Sequence, residues 1–175
     1  MSFVNVEIKA RCEDTDKIRA LLRSRNAAFK GRDHQIDTYF KVNEGRLKLR
    51  EGTIENNLIF YKRENTPGPK QSDIILASVE PKSEIRGVLE EALGKLVVVD
   101  KIREIYFLGN VKFHLDDVRV LGSFVEIEAI GNRVIQRPEL IKQCGEYVSL
   151  FGIKEEDMIS VSYSDMLLER LGIRK

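Results

Sequence analysis

Arg46, Lys48 and Arg50 stand at every second position. In an extended strand that spacing sends all three side chains off one side. Lys101 and Arg103 repeat it, as do Lys9 and Arg11. Acidic residues are grouped in the same manner: Glu126 with Glu128, His114 with Asp116, and Glu7 between Asn5 and Lys9. Like charges crowded on one face repel unless a counter-ion lies between them. Guanidinium forks and ammonium groups are the donors that phosphate oxygens favour. Paired carboxylates suit a hard divalent ion, Mg2+ or Mn2+, which takes one or two of them and shares the phosphates of a ligand. Such an ion bridges phosphate oxygens, polarises phosphorus and activates an attacking oxygen.

Elements with a period of two must carry these residues. Phe3 to Arg11 alternates, with Val4, Val6 and Ile8 on one face and Asn5, Glu7, Lys9 and Arg11 on the other. Gln35–Val42, Arg46–Arg50, Leu58–Arg63, Ile74–Val79, Val97–Tyr106, Val111–Val118 and Phe124–Ile130 also read as strands. Three or four helical stretches intervene. One is capped by Asp14 or Thr15 and runs to about Ala28, with Ile18, Leu21 and Leu22 on its apolar side. The others lie near Ser83–Gly94, from Pro138 to Phe151, and over Ser164–Leu171. The stretch Glu64–Asp73 holds Pro67, Gly68 and Pro69 and reads as a long loop within one domain. Many strands with few helices imply an α+β protein. An antiparallel sheet of that length removes its edges by closing into a barrel with helices outside.

Two arrangements satisfy the charge pattern. In one, the charged faces meet solvent and the apolar faces pack on helices. In the other, the charged faces converge inside the barrel as a wet tunnel. Val4, Val6, Ile8, Leu47, Leu49, Ile59, Val125 and Ile127 then turn outward under the helices. Cations buried without partners cost several kcal/mol each, so such a tunnel must be hydrated and take up anions readily.

The totals remove other classes. With 29 Lys and Arg against 28 Asp and Glu, the chain lacks the field of a general nucleic-acid binder. No segment approaches the ~18 apolar residues needed to span a bilayer, and the start lacks a signal-peptide apolar run. Cys12 and Cys144 stand far apart, which favours buried thiols in a reducing cytoplasm over a disulfide or zinc framework. The 175 residues suffice for one domain, 1–175, that buries about 70% of its unfolded surface.

These segments resemble the CYTH domain, or triphosphate tunnel metalloenzyme, family. Asn5-Val6-Glu7-Ile8-Lys9 is similar to its E-x-E-x-K signature, with Asn5 in place of the first Glu. Arg46–Arg50, Tyr61-Lys62, Lys101–Arg103 and Phe124–Glu128 resemble later motifs in family order. His114 to Asp116, Leu121 to Glu126 and Ser162 to Asp165 are most similar to the class IV adenylyl cyclase branch. The resemblance implies an eight-stranded antiparallel tunnel and a small-molecule triphosphate substrate: ATP, inorganic triphosphate or thiamine triphosphate. Lys9, Arg46, Lys48, Arg50, Lys62, Lys101 and Arg103 would line the phosphate path. Glu7, Asp116, Glu126 and Glu128 would bind Mg2+ or Mn2+. Lys9, Arg103, Glu126 and Glu128 would be catalytic, and the cyclase branch implies a homodimer. Cyclisation of ATP, hydrolysis of a triphosphate, and capture of a nucleotide without turnover all remain open. Asn5 sharpens that choice, because a neutral amide attracts a divalent ion less than a carboxylate does. His114, Tyr39 and Tyr163 read as packing or supporting groups, and Arg11 as a residue of the tunnel mouth.

Overall fold

The computed structural model describes residues 2–63, 69–132 and 136–173. Eight strands alternate with four helices: β1 (Ser2–Arg11), α1 (Thr15–Ser24), β2 (Ala28–Phe40), β3 (Arg46–Gly52), β4 (Asn57–Arg63), β5 (Lys70–Ser78), α2 (Ile85–Leu93), β6 (Lys95–Leu108), β7 (Val111–Val118), β8 (Gly122–Ile130), α3 (Arg137–Phe151) and α4 (Tyr163–Arg170). The strands close into a barrel in the order β1-β5-β4-β3-β2-β6-β7-β8, every pairing antiparallel. The α+β closed barrel read from the alternation is the observed fold. No helix among the described residues is long and apolar enough to cross a membrane.

Element boundaries depart from the sequence expectation where local backbone chemistry intervenes. The first helix starts at its Asp14 cap, whose carboxylate accepts from the Lys17 amide at 3.0 Å. It ends at Ser24 rather than near Ala28, because Asn26 takes a left-handed φ of 56° and turns the chain into β2. That strand begins at Ala28 rather than Gln35, since its first half pairs with β6 alone and has little apolar alternation to betray it. Residues 64–68 of the expected loop lie outside the described residues, whereas Lys70 to Asp73 already belong to β5.

Period-two alternation sorts the faces. Outward residues of β1, β7 and β8, among them Val6, Ile8, Phe113 and Ile127, pack beneath Ile18 and Leu22 of α1 and Leu140, Cys144 and Phe151 of α3. Cys144 donates to the Val6 carbonyl at 3.3 Å, while Cys12 is half-buried. A second apolar cluster forms where Tyr163, Leu167 and Leu168 of α4 meet Val97, Val99 and Phe124. Those strand residues share the inward faces of β6 and β8, so α4 packs one end of the barrel interior. A capping box fixes its start: Ser162 Oγ accepts from the Asp165 amide at 3.1 Å, and Asp165 accepts from the Ser162 amide at 3.2 Å.

Candidate active site in the barrel

The inward faces enclose a cavity of about 180 Å3, room enough for several waters. Glu7 and Lys9 reach it from β1, Lys48 and Arg50 from β3, Lys101 and Arg103 from β6, and Glu126 and Glu128 from β8. The sequence therefore named residues that the fold brings together. It missed Asp37 on β2, Glu55 in the β3–β4 turn and Lys112 on β7, which share the cavity. Asp37 and Glu55 are lone charges on a strand and a turn, whereas Lys112 does extend the alternate-position run of His114 and Asp116 but differs from them in charge.

Asp37 is the hub of one half. It is 1% exposed. Its Oδ1 accepts from Arg50 Nε at 2.9 Å, and its Oδ2 from Arg50 Nη2, Lys101 Nζ and Lys48 Nζ at 2.9, 2.8 and 3.0 Å. Burial pushes this carboxyl up, but attraction to Arg50, Lys101 and Lys48 outweighs it and holds Asp37 well below the usual carboxylate range. Lys101 responds in the opposite sense. Burial, aided by the charges of Arg50, Arg103 and Lys48, lowers its ammonium to about 7 despite Asp37.

Arg103 is the hub of the other half. Its Nε donates to Asp116 Oδ1 at 2.6 Å, and its Nη2 to Asp116 Oδ2 at 2.5 Å and Glu126 Oε2 at 2.9 Å. The Tyr163 hydroxyl donates to Asp116 Oδ2 at 2.8 Å. His114 Nδ1 lies 3.3 Å from Glu126 Oε2. Burial, with Arg103 nearby, lowers the His114 imidazole to about 3, so the ring is neutral at ordinary pH and Nδ1 carries the proton toward Glu126. Lys9 Nζ sits 4.1 Å from the centre of the Tyr163 ring. Its strand neighbour across the β1–β8 ladder is Glu126.

The acidic end is assembled by register. Glu7 stands directly opposite Glu128. The Asn5 amide donates to Glu128 Oε1. Burial raises the Glu128 carboxyl, and the charges of Glu126 and Glu7 add to that effect against Lys112. Asn5 Oδ1 is buried without a partner. These donors are all oxygen, the type a hard divalent ion takes, and cation charge is what the crowded carboxylates want. Among the described residues no three His, Cys, Asp or Glu side chains yet converge as a ready metal cage.

Four sequence expectations need correction. Lys62 points out of the barrel: its side chain is 55% exposed and pairs with Glu44 at 2.7 Å. Tyr61, the adjacent residue, takes the inward position. Ile59, expected on the outside, also lines the cavity, with Ile74 and Leu76 of β5. This makes the β4–β5 wall apolar where a charged one was expected. Asp116, expected as a metal ligand, has both oxygens occupied by Arg103 and Tyr163 and orients Arg103 instead. Arg46 stands apart from the cavity, its Nη2 2.8 Å from Asp165 at the head of α4. Arg11 is exposed and donates to the Leu121 carbonyl at 3.3 Å.

The family model described as the CYTH domain matches residues 4–163. The chain belongs to the CYTH family. This CYTH chain is 26% identical, over 94% of its length and 98% of the relative's, to a Methanocaldococcus jannaschii protein named "Putative adenylate cyclase". Among solved structures, a Pyrococcus horikoshii protein aligns with a TM-score of 0.78 at 25% identity, covering 92% of this chain and 98% of that one. A Hippeastrum protein, named "Putative adenylyl cyclase" and described as having a dominant triphosphatase activity, shares the fold with a TM-score of 0.60. At 16% identity, over 98% of this chain and 97% of that one, the likeness is one of fold.

Proposed function

We propose that this CYTH protein is a metal-dependent enzyme acting on an organic triphosphate, most like a class IV adenylate cyclase that converts ATP to cyclic AMP and pyrophosphate. The carrying observation is the convergence of Lys9, Lys48, Arg50, Lys101 and Arg103 with Glu7, Glu126 and Glu128 in one cavity. An ordinary sheet has no reason to bury so many ions together, since desolvation opposes it. Their cost is repaid by a ligand that needs both signs.

Charge counting supports a metal. Six cationic side chains line the cavity against five carboxylates. That near-balance cannot by itself neutralise the several charges of a triphosphate. Glu7 and Glu128 with Asn5 Oδ1 would hold Mg2+ or Mn2+, with Glu126 adjoining. The bound ion supplies charge neutralisation and acidifies an attacking oxygen. Carboxylates grip Arg50 at all three guanidinium nitrogens and Arg103 at two, so their forks are oriented before substrate arrives and little reorganisation remains. Phosphate oxygens take over donors that Asp37 and Glu126 hold in the free protein. Lys101 Nζ, lowered to about 7, regains its proton when an anion lies beside it. The apolar wall of Ile59, Ile74 and Leu76 accommodates the organic group, which an inorganic triphosphate lacks. In cyclisation the ribose 3′-oxygen bonds to the α-phosphorus, the bond to the pyrophosphate oxygen breaks, and the hydroxyl proton passes to water.

Hydrolysis of the same substrate is the second reading, favoured by the activity attributed to the Hippeastrum protein of this fold. It differs only in which oxygen is held in line with which phosphorus. Incubation with ATP, thiamine triphosphate and inorganic triphosphate, each with Mg2+ or Mn2+, separates the two. Cyclic AMP with pyrophosphate supports the cyclase, and orthophosphate the triphosphatase. Absence of all products from every substrate overturns the enzymatic reading.

A further inference from the structure

The turn between β3 and β4 is held more firmly than joining two strands requires. Asp33 is fully buried. Its carboxylate accepts from Gln35 Nε2 at 2.8 Å, Thr53 Oγ1 at 2.9 Å, and the Ile54 and Glu55 amides at 2.8 and 3.0 Å. Burial alone would raise the Asp33 carboxyl, but these donors lower it. Gly52 permits the close approach: a Cβ there would lie 2.6 Å from the Glu55 carbonyl oxygen and 2.7 Å from Asp33 Oδ1.

What this cradle fixes is one side chain. Glu55 is turned into the cavity. Its Oε1 accepts from Lys112 Nζ at 2.7 Å, and its Oε2 from Arg50 Nη1 at 3.1 Å and Gln35 Nε2 at 3.3 Å. Arg50 lies on β3 and Lys112 on β7, with β2 and β6 between them in the barrel order. The carboxylate therefore links two walls of the barrel, at the end remote from α4. Asp37 already occupies Nε and Nη2 of Arg50, so Glu55 takes the remaining nitrogen. A carboxylate gripped by an arginine and a lysine has the partners that a phosphoryl group would have.

We propose that Glu55 is a specificity-determining residue, a built-in anion on Arg50 and Lys112 that fills the seat of a further phosphoryl group and restricts the tunnel to short phosphate chains. The inference rests on the triphosphate reading given above. On this reading a triphosphate ends beside Glu55. A longer chain along the same axis meets a like charge held rigidly by the Asp33 cradle, which is discrimination by repulsion rather than by added contact. Its ligand class is thus the linear polyphosphate of three phosphoryl groups, with tetraphosphate and longer chains rejected.

Calorimetric titration of the full chain with inorganic triphosphate, inorganic tetraphosphate and α,β-methylene ATP in Mg2+ buffer tests it. The Glu55→Gln substitution keeps the shape and the amide contact to Asp33 while removing the charge. It should tighten tetraphosphate binding on the order of tenfold and change triphosphate binding by less than about threefold, because only the longer chain needs the seat that Glu55 fills between Arg50 Nη1 and Lys112. An unchanged tetraphosphate-to-triphosphate ratio, or equal tightening of both, overturns the role of Glu55. Failure of the unaltered protein to bind any of the three ligands overturns the triphosphate reading itself. Should circular dichroism show Glu55→Gln unfolded, Thr53→Ala carries the test. It removes one bond of the cradle and leaves the charge, so tetraphosphate should gain about threefold over triphosphate, and no gain again overturns the proposal.

Discussion

Replacing Asp37 with Asn removes one negative charge from beneath three cations, Arg50 and Lys101 buried and Lys48 partly so, and changes almost no volume. Arg50, Lys101 and Lys48 all donate to this carboxylate within 3.0 Å. Breaking a buried ion pair by deleting one partner costs about 3–5 kcal/mol. The lower end applies here, because the Asn oxygen keeps one acceptor and Lys101, already lowered to about 7, sheds its proton to relieve the excess. A loss of about 3 kcal/mol at pH 7 corresponds to about 6–12 °C in Tm for a chain of this size. The pH sign follows from the direction of the shift. Asp37 is held well below its ordinary value of 3.8, so its contribution is present above that value and fades as pH falls through the folded pKa. The difference between Asp37→Asn and the parent should therefore be full at pH 7 and shrink below about pH 4. Urea unfolding followed by circular dichroism across this range measures it. Added inorganic triphosphate should recover more stability in the variant than in the parent, since the anion replaces the missing charge. A variant within about 1 kcal/mol of the parent at pH 7, or a gap that does not shrink as pH falls below about 4, refutes the reasoning.

Three further outcomes follow from the same geometry. Lys62→Ala should alter triphosphate affinity less than about twofold, because an exposed lysine paired with Glu44 outside the barrel is screened by solvent; a tenfold loss by calorimetry would return Lys62 to the phosphate path. The imidazole proton shifts of His114 should stay constant between pH 5 and 8, since burial lowers this ring to about 3; a midpoint inside that window by NMR contradicts the neutral ring described above. Triphosphate binding at pH 8 should take up protons, because Lys101 is lowered to about 7 in the free protein and a neighbouring anion raises it. Calorimetry in buffers of differing ionisation enthalpy reads that uptake, and proton release or none at all contradicts it.

Much of this architecture is legible in the residue pattern, for a physical reason. Strands report themselves through alternation, and Arg46-Lys48-Arg50 or Glu126-Glu128 are conspicuous because repeated charge on one face has no cheap structural use. The family resemblance, carried by motifs in order, then supplied the tunnel. What stayed hidden was register. Lys62 and Tyr61 are adjacent, and only the pairing of Tyr61 with Arg46 and Ile59 with Lys48 decides which of them faces inward. Ile59 is apolar and yet faces inward, because the tunnel wall itself is apolar there. Asp37 and Glu55 were invisible for another reason. Each partners residues on other strands or turns, and a single carboxylate in a sequence gives no sign of the cations that surround it in space. Asp116 shows the same limit, since its acidic character was plain but its engagement by Arg103 and Tyr163 is a product of three separate elements.

Crystals grown with α,β-methylene ATP and Mn2+ test the central claim most directly. The account predicts the phosphate chain inside the barrel, contacted by Lys9, Arg50 and Arg103, with anomalous manganese density beside Glu7 and Glu128 and the organic group against Ile59 and Leu76. Nucleotide bound on the outer surface with an unchanged interior, its cations still fully engaged by Asp37 and Asp116, would contradict it.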